Sequence, residues 1–172
     1  MPSQPAGDRI IQANVALTMV FALSAVYAAA VFDTTAQWVG AATAMTLFAI
    51  GVFAFLWSYW AAVQRSRTSE IAVSQLYLLL GPAIPGAVKR AMLGALVTQV
   101  VVALATTLAR PNGPDGNPGS SLAVGFLVPM LGFGLNGLWA ARHATFAVRA
   151  EQPGTDGVRE SAAPIGQNAE HG

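Results

Sequence analysis

The fold is decided by residues 39–63, which read VGAATAMTLFAIGVFAFLWSYWAAV and contain no charged side chain. An α-helix rises about 1.5 Å per residue, so this run exceeds the hydrocarbon core of a bilayer, which is about 30 Å thick. Trp38 precedes the run, and Trp57 and Trp60 stand near its end, where indole rings favour the headgroup level. The run therefore predicts a tilted transmembrane helix.

Three further apolar runs have the length of a membrane span. None of them contains Asp, Glu, Lys, Arg or His. The sequence therefore predicts an all-α integral membrane protein, a four-transmembrane-helix bundle within a transmembrane domain of residues 1–149. The polar and glycine-rich residues 150–172 are expected to form a disordered cytoplasmic tail. The four predicted spans are residues 15–32, 39–63, 91–108 and 122–141.

The overall composition agrees with a membrane environment. Of the 172 residues, 54% are hydrophobic and only 10% are charged, whereas about a quarter of the residues of a soluble domain are charged. The net charge is +1 and the basic residues are scattered between the apolar runs, so no nucleic-acid partner is expected. The chain contains no cysteine, which excludes disulfides and thiolate metal sites.

The first apolar run has a competing interpretation as a secretory signal peptide. Ala28, Ala29 and Ala30 could provide the small residues of a cleavage site. A retained helix is preferred, because the run is long for a signal sequence and its upstream Arg9 is accompanied by Asp8. Both interpretations place the remaining spans on the same sides of the membrane.

The connection between the second and third spans contains a shorter apolar run, residues 71–80. It is too short to cross a bilayer, and Pro82 and Pro85 follow it, so we expect a short interfacial helix on the cytoplasmic side. A re-entrant hairpin is the less favoured alternative. The basic residues expected to contact anionic lipids or the membrane interface are Arg65, Arg67, Lys89, Arg90 and Arg142. The alternative is an ordinary basic cytoplasmic loop.

The distribution of basic residues predicts the orientation of the bundle. Four crossings place both termini and the 64–90 connection on one side. Of the nine Lys and Arg residues, only Arg110 falls on the other side, which leaves eight on the first. The positive-inside rule makes that first side cytoplasmic, in the plasma (inner) membrane.

Few side chains within the spans can carry chemistry. No nucleotide-binding, metalloprotease or serine-hydrolase motif is present, and we expect no catalytic residue, cofactor or metal. Gln99 and Asn136 are amides within the predicted third and fourth spans that need partners in hydrocarbon, so helix–helix hydrogen bonds are expected, with a permeation or binding role as the alternative. Pro129 cannot donate to the carbonyl of Gly125, which predicts a kink in the fourth span.

Small residues recur at four-residue spacing on two spans, where they could allow helices to approach closely. They favour a compact bundle more than oligomerisation. These residues are Ala36, Gly40 and Ala44 on the second span and Gly137 and Ala141 on the fourth.

Two segments resemble small uncharacterised membrane proteins of actinobacteria. They run from LYLLLG at residues 76–81 to VKR at 88–90, and through LWAARHATF at 138–146. The resemblance implies four spans and no assigned activity. The leading functional hypothesis is a non-enzymatic accessory or assembly subunit that binds other membrane proteins or lipids. The alternatives are a small homo-oligomeric channel or transporter, which would use Gln99, Asn136 and Pro129, and a lipid-modifying enzyme.

Overall fold

The chain is all-α, as predicted. A computed structural model describes residues 5–66, 72–81, 84–116 and 119–146; about 82% of them are helical and none lies in a strand. Arg67 and the tail at 150–172 lie outside the described residues. The elements in chain order are α1 (Pro5–Val31), α2 (Thr34–Arg65), α3 (Val73–Tyr77), α4 (Gly86–Ala109), a 3₁₀ segment (Ser121–Leu127) and α5 (Pro129–His143).

Four helical segments are long and apolar enough to cross a membrane. They are Gly7–Val31, Thr34–Arg65, Gly86–Ala109 and Ser121–His143, the last of which combines the 3₁₀ segment with α5. Each of the four contains one of the predicted apolar runs or most of it. Asn14, which precedes the first predicted span, lies well inside α1.

The connection between α1 and α2 is a turn of two residues. Phe32 adopts a left-handed φ of 53° and donates its N–H to the carbonyl of Ala28, which ends α1. Asp33 then caps α2, because its carboxylate accepts the N–H of Ala36 at 2.6 Å. The short turn forces α1 and α2 to run antiparallel as neighbours.

The short helix α5 lies at the centre of the bundle, in contact with all the other helices. Its closest approach is to α2, where Gly134 meets the carbonyl oxygen of Gly51 and a Cβ atom at Gly134 would overlap that oxygen. At Gly51 a Cβ atom would stand 2.5 Å from the backbone nitrogen of Leu131. Two glycines at one crossing therefore bring the backbones of α2 and α5 together.

The small residues singled out in the sequence are used inside the chain. Ala36, Gly40 and Ala44 are buried on α2, and Gly137 and Ala141 are buried on α5. At Gly40 a Cβ atom would stand 2.9 Å from Cβ of Ala28, so this part of α2 packs against α1.

The helix α3 is shorter than the interfacial helix expected over residues 71–80, and it packs on the bundle. Leu76, Tyr77 and Leu79 are buried, and the Tyr77 ring stacks on Phe55 of α2 with 4.4 Å between ring centroids. Leu78 is half exposed. The buried side chains pack on the bundle, whereas Val73, at 71% exposed, and Leu80, at 47%, face outward.

At Pro129 the fourth span changes from 3₁₀ to α-helix. Pro129 is the first residue of α5, a position where the missing N–H costs no helical hydrogen bond. The carbonyl of Gly125 accepts the N–H of Val128 at 3.0 Å instead. The fourth span therefore changes helix type at Pro129, the residue at which the sequence predicts a kink.

Candidate functional site

A polar cluster at the centre of the bundle is organised by Gln99 of α4, which is fully buried. Its Nε2 donates to Thr18 Oγ1 at 2.7 Å and approaches Asn14 Oδ1 at 3.5 Å, both on α1. Its Oε1 accepts the backbone N–H of Gly132 at 3.2 Å, on α5. One amide therefore joins three helices through hydrogen bonds in a water-poor core.

The Gly132 backbone is accessible to Gln99 because residue 132 lacks a side chain. A Cβ atom there would stand 2.8 Å from Gln99 Oε1 and 2.8 Å from Cδ1 of Leu96. The Gly132 N–H lies near the start of α5, and Gln99 gives it a hydrogen-bond partner on another helix.

A second polar contact joins α5 to α3. The fully buried Asn136 donates from Nδ2 to the carbonyl oxygen of Tyr77 at 3.1 Å. Gly137 lies against Tyr77 and Ser58, and a Cβ atom there would stand 2.6 Å from Ser58 Oγ. Burial raises the pKa of the Tyr77 phenol above its ordinary value, so the ring stays neutral. This contact fixes the connection between the second and third spans against the bundle.

The two amides selected from the sequence therefore both make contacts between elements. They do not meet each other in any hydrogen bond among the described residues. Two polar atoms in the same region, Asn14 Nδ2 and Asn136 Oδ1, are buried without a partner among those residues.

Two partners of Gln99 were missed by sequence reasoning. Asn14 lies immediately before the predicted first span, and Thr18 was counted among that span's apolar residues. The available signal was their four-residue spacing, which places both side chains on one face of α1.

The basic residues at the α2–α3 end of the bundle are bound to backbone groups. Arg65 donates to the carbonyl oxygens of Ala141 at 2.7 Å and Ala144 at 3.3 Å, and its guanidinium lies 5.4 Å from the centre of the Phe146 ring. Lys89 donates to the carbonyl of Gly81 at 3.3 Å.

Arg90 and Arg142 remain more accessible. Arg90 donates from Nε to the carbonyl of Gly86 in its own helix at 3.4 Å. Arg142 is exposed and lies at the edge of an apolar groove between α2 and α5. Among the described residues, the predicted lipid-contact residues thus divide into Arg65 and Lys89, which are partly buried, and Arg90 and Arg142, which are exposed.

The outer surface of the four long helices is apolar. Exposed side chains include Leu23 on α1, Phe53 and Trp60 on α2, and Val97 and Leu108 on α4. Each of these five is at least 60% exposed. An apolar outer surface, with the polar side chains of the helices turned inward, is the arrangement expected where the surrounding solvent is hydrocarbon.

Among the described residues, no group of three His, Cys, Asp or Glu side chains lies close enough to hold a metal ion. No protein-family model, no curated protein and no solved structure matches the chain. The resemblance to small actinobacterial membrane proteins therefore stays a prediction.

Proposed function

We propose that this chain is a multi-pass protein of the plasma (inner) membrane that acts by binding other membrane proteins or lipids. In this role it is a non-enzymatic accessory or assembly subunit, and both of its termini are cytoplasmic. The observation that carries the proposal is the division of the molecule into an apolar outer surface and an interior in which Gln99 and Asn136 are hydrogen-bonded to other elements.

The described basic residues support the orientation. Arg9, Arg65, Lys89, Arg90 and Arg142 lie at the end of the bundle that holds α3. At the opposite end, Arg110 is the one basic residue among those described, and it stacks on the Phe32 ring at 4.4 Å. The positive-inside rule favours the α3 end as the cytoplasmic one.

The hydrogen bonds favour binding over conduction. A channel made from several copies would need Gln99 and Asn136 on a surface shared between subunits. Both side chains are instead buried within one chain, where they bond to Thr18 and Tyr77. The surface left for contacts between chains is apolar, as helix packing or lipid binding requires.

Photo-crosslinking tests the binding role directly. A photoreactive residue in place of Phe53, which is 68% exposed on α2, should give a discrete adduct with a membrane protein or lipid. The same residue in place of Ala103, which is fully buried in α4, should give no intermolecular adduct. Purification in a mild detergent and mass spectrometry then identify the partner.

Two results would contradict the proposal. One is a stable homo-oligomer that carries solute flux in liposomes, which would favour the channel. The other is a chain that shows only diffuse, nonspecific adducts from Phe53 and every other exposed position tested.

A further inference from the structure

A groove opens on the side of the bundle at the end opposite α3. It is about 420 Å³ in volume, within the range of about 300–1,000 Å³ that is usual for ligand pockets. One wall is the start of α2, and the other is formed by residues of the 113–116 turn and the 3₁₀ segment. The lining residues are Thr34, Gln37, Trp38, Ala41, Met45, Pro114, Asp115, Ser121 and Val124.

The groove runs from a polar mouth to an apolar interior. Thr34 and Asp115 lie at the mouth, whereas Met45 lies three helical turns further along α2, about 16 Å away at 1.5 Å per residue. Trp38 and Met45 are 71% and 50% exposed, so the groove faces the surrounding medium along its length. If the chain spans the bilayer as proposed above, a lipid can enter this groove from the side.

Gln37 presents a hydrogen-bond donor in the groove wall. The side chain is only 6% exposed, and its Oε1 accepts the hydroxyl of Ser121 at 2.6 Å. With that bond formed, Nε2 is buried with no partner among the described residues. A buried donor of this kind costs free energy until an acceptor reaches it.

Asp115 and Trp38 provide the complementary groups at the mouth. Asp115 is exposed and forms no ion pair with any residue that the structure describes. A carboxylate and an exposed indole that line the same groove attract a cationic amine, through charge and through the face of the ring. The wall therefore offers an acceptor for a cation at the mouth and a donor for an oxygen one turn deeper.

We propose that this groove binds an outer-leaflet phospholipid with an ethanolamine headgroup. The ammonium binds Asp115, a phosphate or ester oxygen accepts Gln37 Nε2, and an acyl chain lies along Ala41, Met45 and Val124. A simple alkylamine would satisfy Asp115 but has no oxygen for Gln37, so the buried amide favours the phospholipid. This proposal rests on the proposed function, which places the groove in the membrane. It narrows the bound lipid to one class.

Native mass spectrometry of the full chain tests the proposal. The protein, purified in a mild detergent, is mixed with equal amounts of phosphatidylethanolamine, phosphatidylcholine and phosphatidylglycerol that carry identical acyl chains. Phosphatidylethanolamine should be retained about tenfold more strongly than the other two, because only its headgroup combines a positive charge with N–H donors for a carboxylate.

Two pairs of variants separate the contacts. Asp115→Asn should abolish the preference for ethanolamine, whereas Asp8→Asn, an exposed carboxylate at the other end of the bundle, should keep it. Gln37→Leu should weaken retention of all three phospholipids. Ser121→Ala removes the same side-chain hydrogen bond but keeps Gln37 Nε2, so this variant should retain more lipid than Gln37→Leu. Any loss of lipid that it shows measures the effect of losing that hydrogen bond on folding.

Equal retention of the three lipids, or an unchanged preference in Asp115→Asn, would overturn the proposal. A photoreactive residue at Met45 that captures a protein segment in place of lipid would also overturn it. Failure here is distinguishable from failure of the proposed function, because the Phe53 adduct is formed on another part of α2 and does not require this groove.

Discussion

At the scale of single residues, the bundle depends on a few buried contacts that no other side chain can replace. Gln99 satisfies donors and acceptors on two neighbouring helices at once, with Thr18 Oγ1 at 2.7 Å and the Gly132 nitrogen at 3.2 Å. Removal of the amide leaves its former partners buried, and each such group costs about 1–3 kcal/mol. The cluster is therefore a sensitive point of the fold.

The variant Gln99→Leu should lower the free energy of unfolding in detergent by about 1–3 kcal/mol. The matched control is Thr98→Val, because Thr98 is exposed and its hydroxyl bonds to the carbonyl of Gly94 in the same helix at 2.9 Å. Reversible unfolding by a denaturing detergent, followed by circular dichroism, measures both. Equal stability of the two variants would show that the cluster contributes nothing.

The close approach of α2 and α5 at Gly134 can be tested by a second substitution. A methyl group at Gly134 would overlap the carbonyl oxygen of Gly51, so Gly134→Ala should separate α2 from α5 and destabilise the bundle by about 1–3 kcal/mol. At Gly94 a Cβ atom meets nothing within 4 Å, and Gly94→Ala should be neutral or stabilising by up to about 1 kcal/mol. Thermal unfolding of both variants in the same detergent measures the difference in their stability. A Gly134→Ala protein as stable as Gly94→Ala would refute the close approach.

At the scale of elements, α5 is short and is held at both ends by other parts of the chain. Gln99 binds the Gly132 N–H near its start, and Arg65 binds the carbonyl of Ala141 at its end. The last carbonyls of a helix have no partner within it, and a cation there also interacts favourably with the helix dipole. The end of α2 thus fixes the end of α5.

The variant Arg65→Gln should release the last turn of α5. Hydrogen exchange at the amides of residues 140–143 should become about tenfold faster, since a hydrogen bond from a charged group contributes about 1.5–3 kcal/mol. Arg90→Gln removes the same charge near the start of α4, where Arg90 bonds only to Gly86 of its own helix among the contacts described. Exchange that is equally fast in both variants would contradict the role of Arg65.

The elements also show how far sequence reasoning reaches. The long apolar runs predicted four helices because hydropathy and length are local properties of a sequence. The 3₁₀ segment before Pro129 was not predicted, because its geometry depends on the burial of Leu122 and Gly125 against neighbouring helices. The partner of α3 was also not predictable, because an apolar helix face can pack against lipid or against another helix, and its sequence is the same in both cases.

At the scale of the site, the same limit applies to partners. Gln99 and Asn136 could be selected from the sequence because an amide in a span is costly without a hydrogen bond. Asn14 was missed, since its position before the apolar run concealed its burial, and the pairing of Gln37 with Ser121 joins residues far apart in sequence. Such pairings follow from the tertiary arrangement of the helices.

At the scale of the whole molecule, the proposed binding role requires that the bundle lies across a membrane. The outer surface carries exposed apolar side chains on α1, α2 and α4, while the buried polar side chains contact one another or the backbone. The basic residues gather at the α3 end. These three features together predict insertion with that end in the cytoplasm.

Cysteine labelling in intact cells tests this claim most directly, because the natural chain has no cysteine. Single variants Asn112→Cys and Gln64→Cys place exposed thiols at opposite ends of the bundle. A membrane-impermeant maleimide should label Asn112→Cys in intact cells or spheroplasts, and Gln64→Cys only after the membrane is permeabilised. The reverse pattern would contradict the orientation, and recovery of the folded chain from the aqueous fraction without detergent would contradict membrane insertion itself.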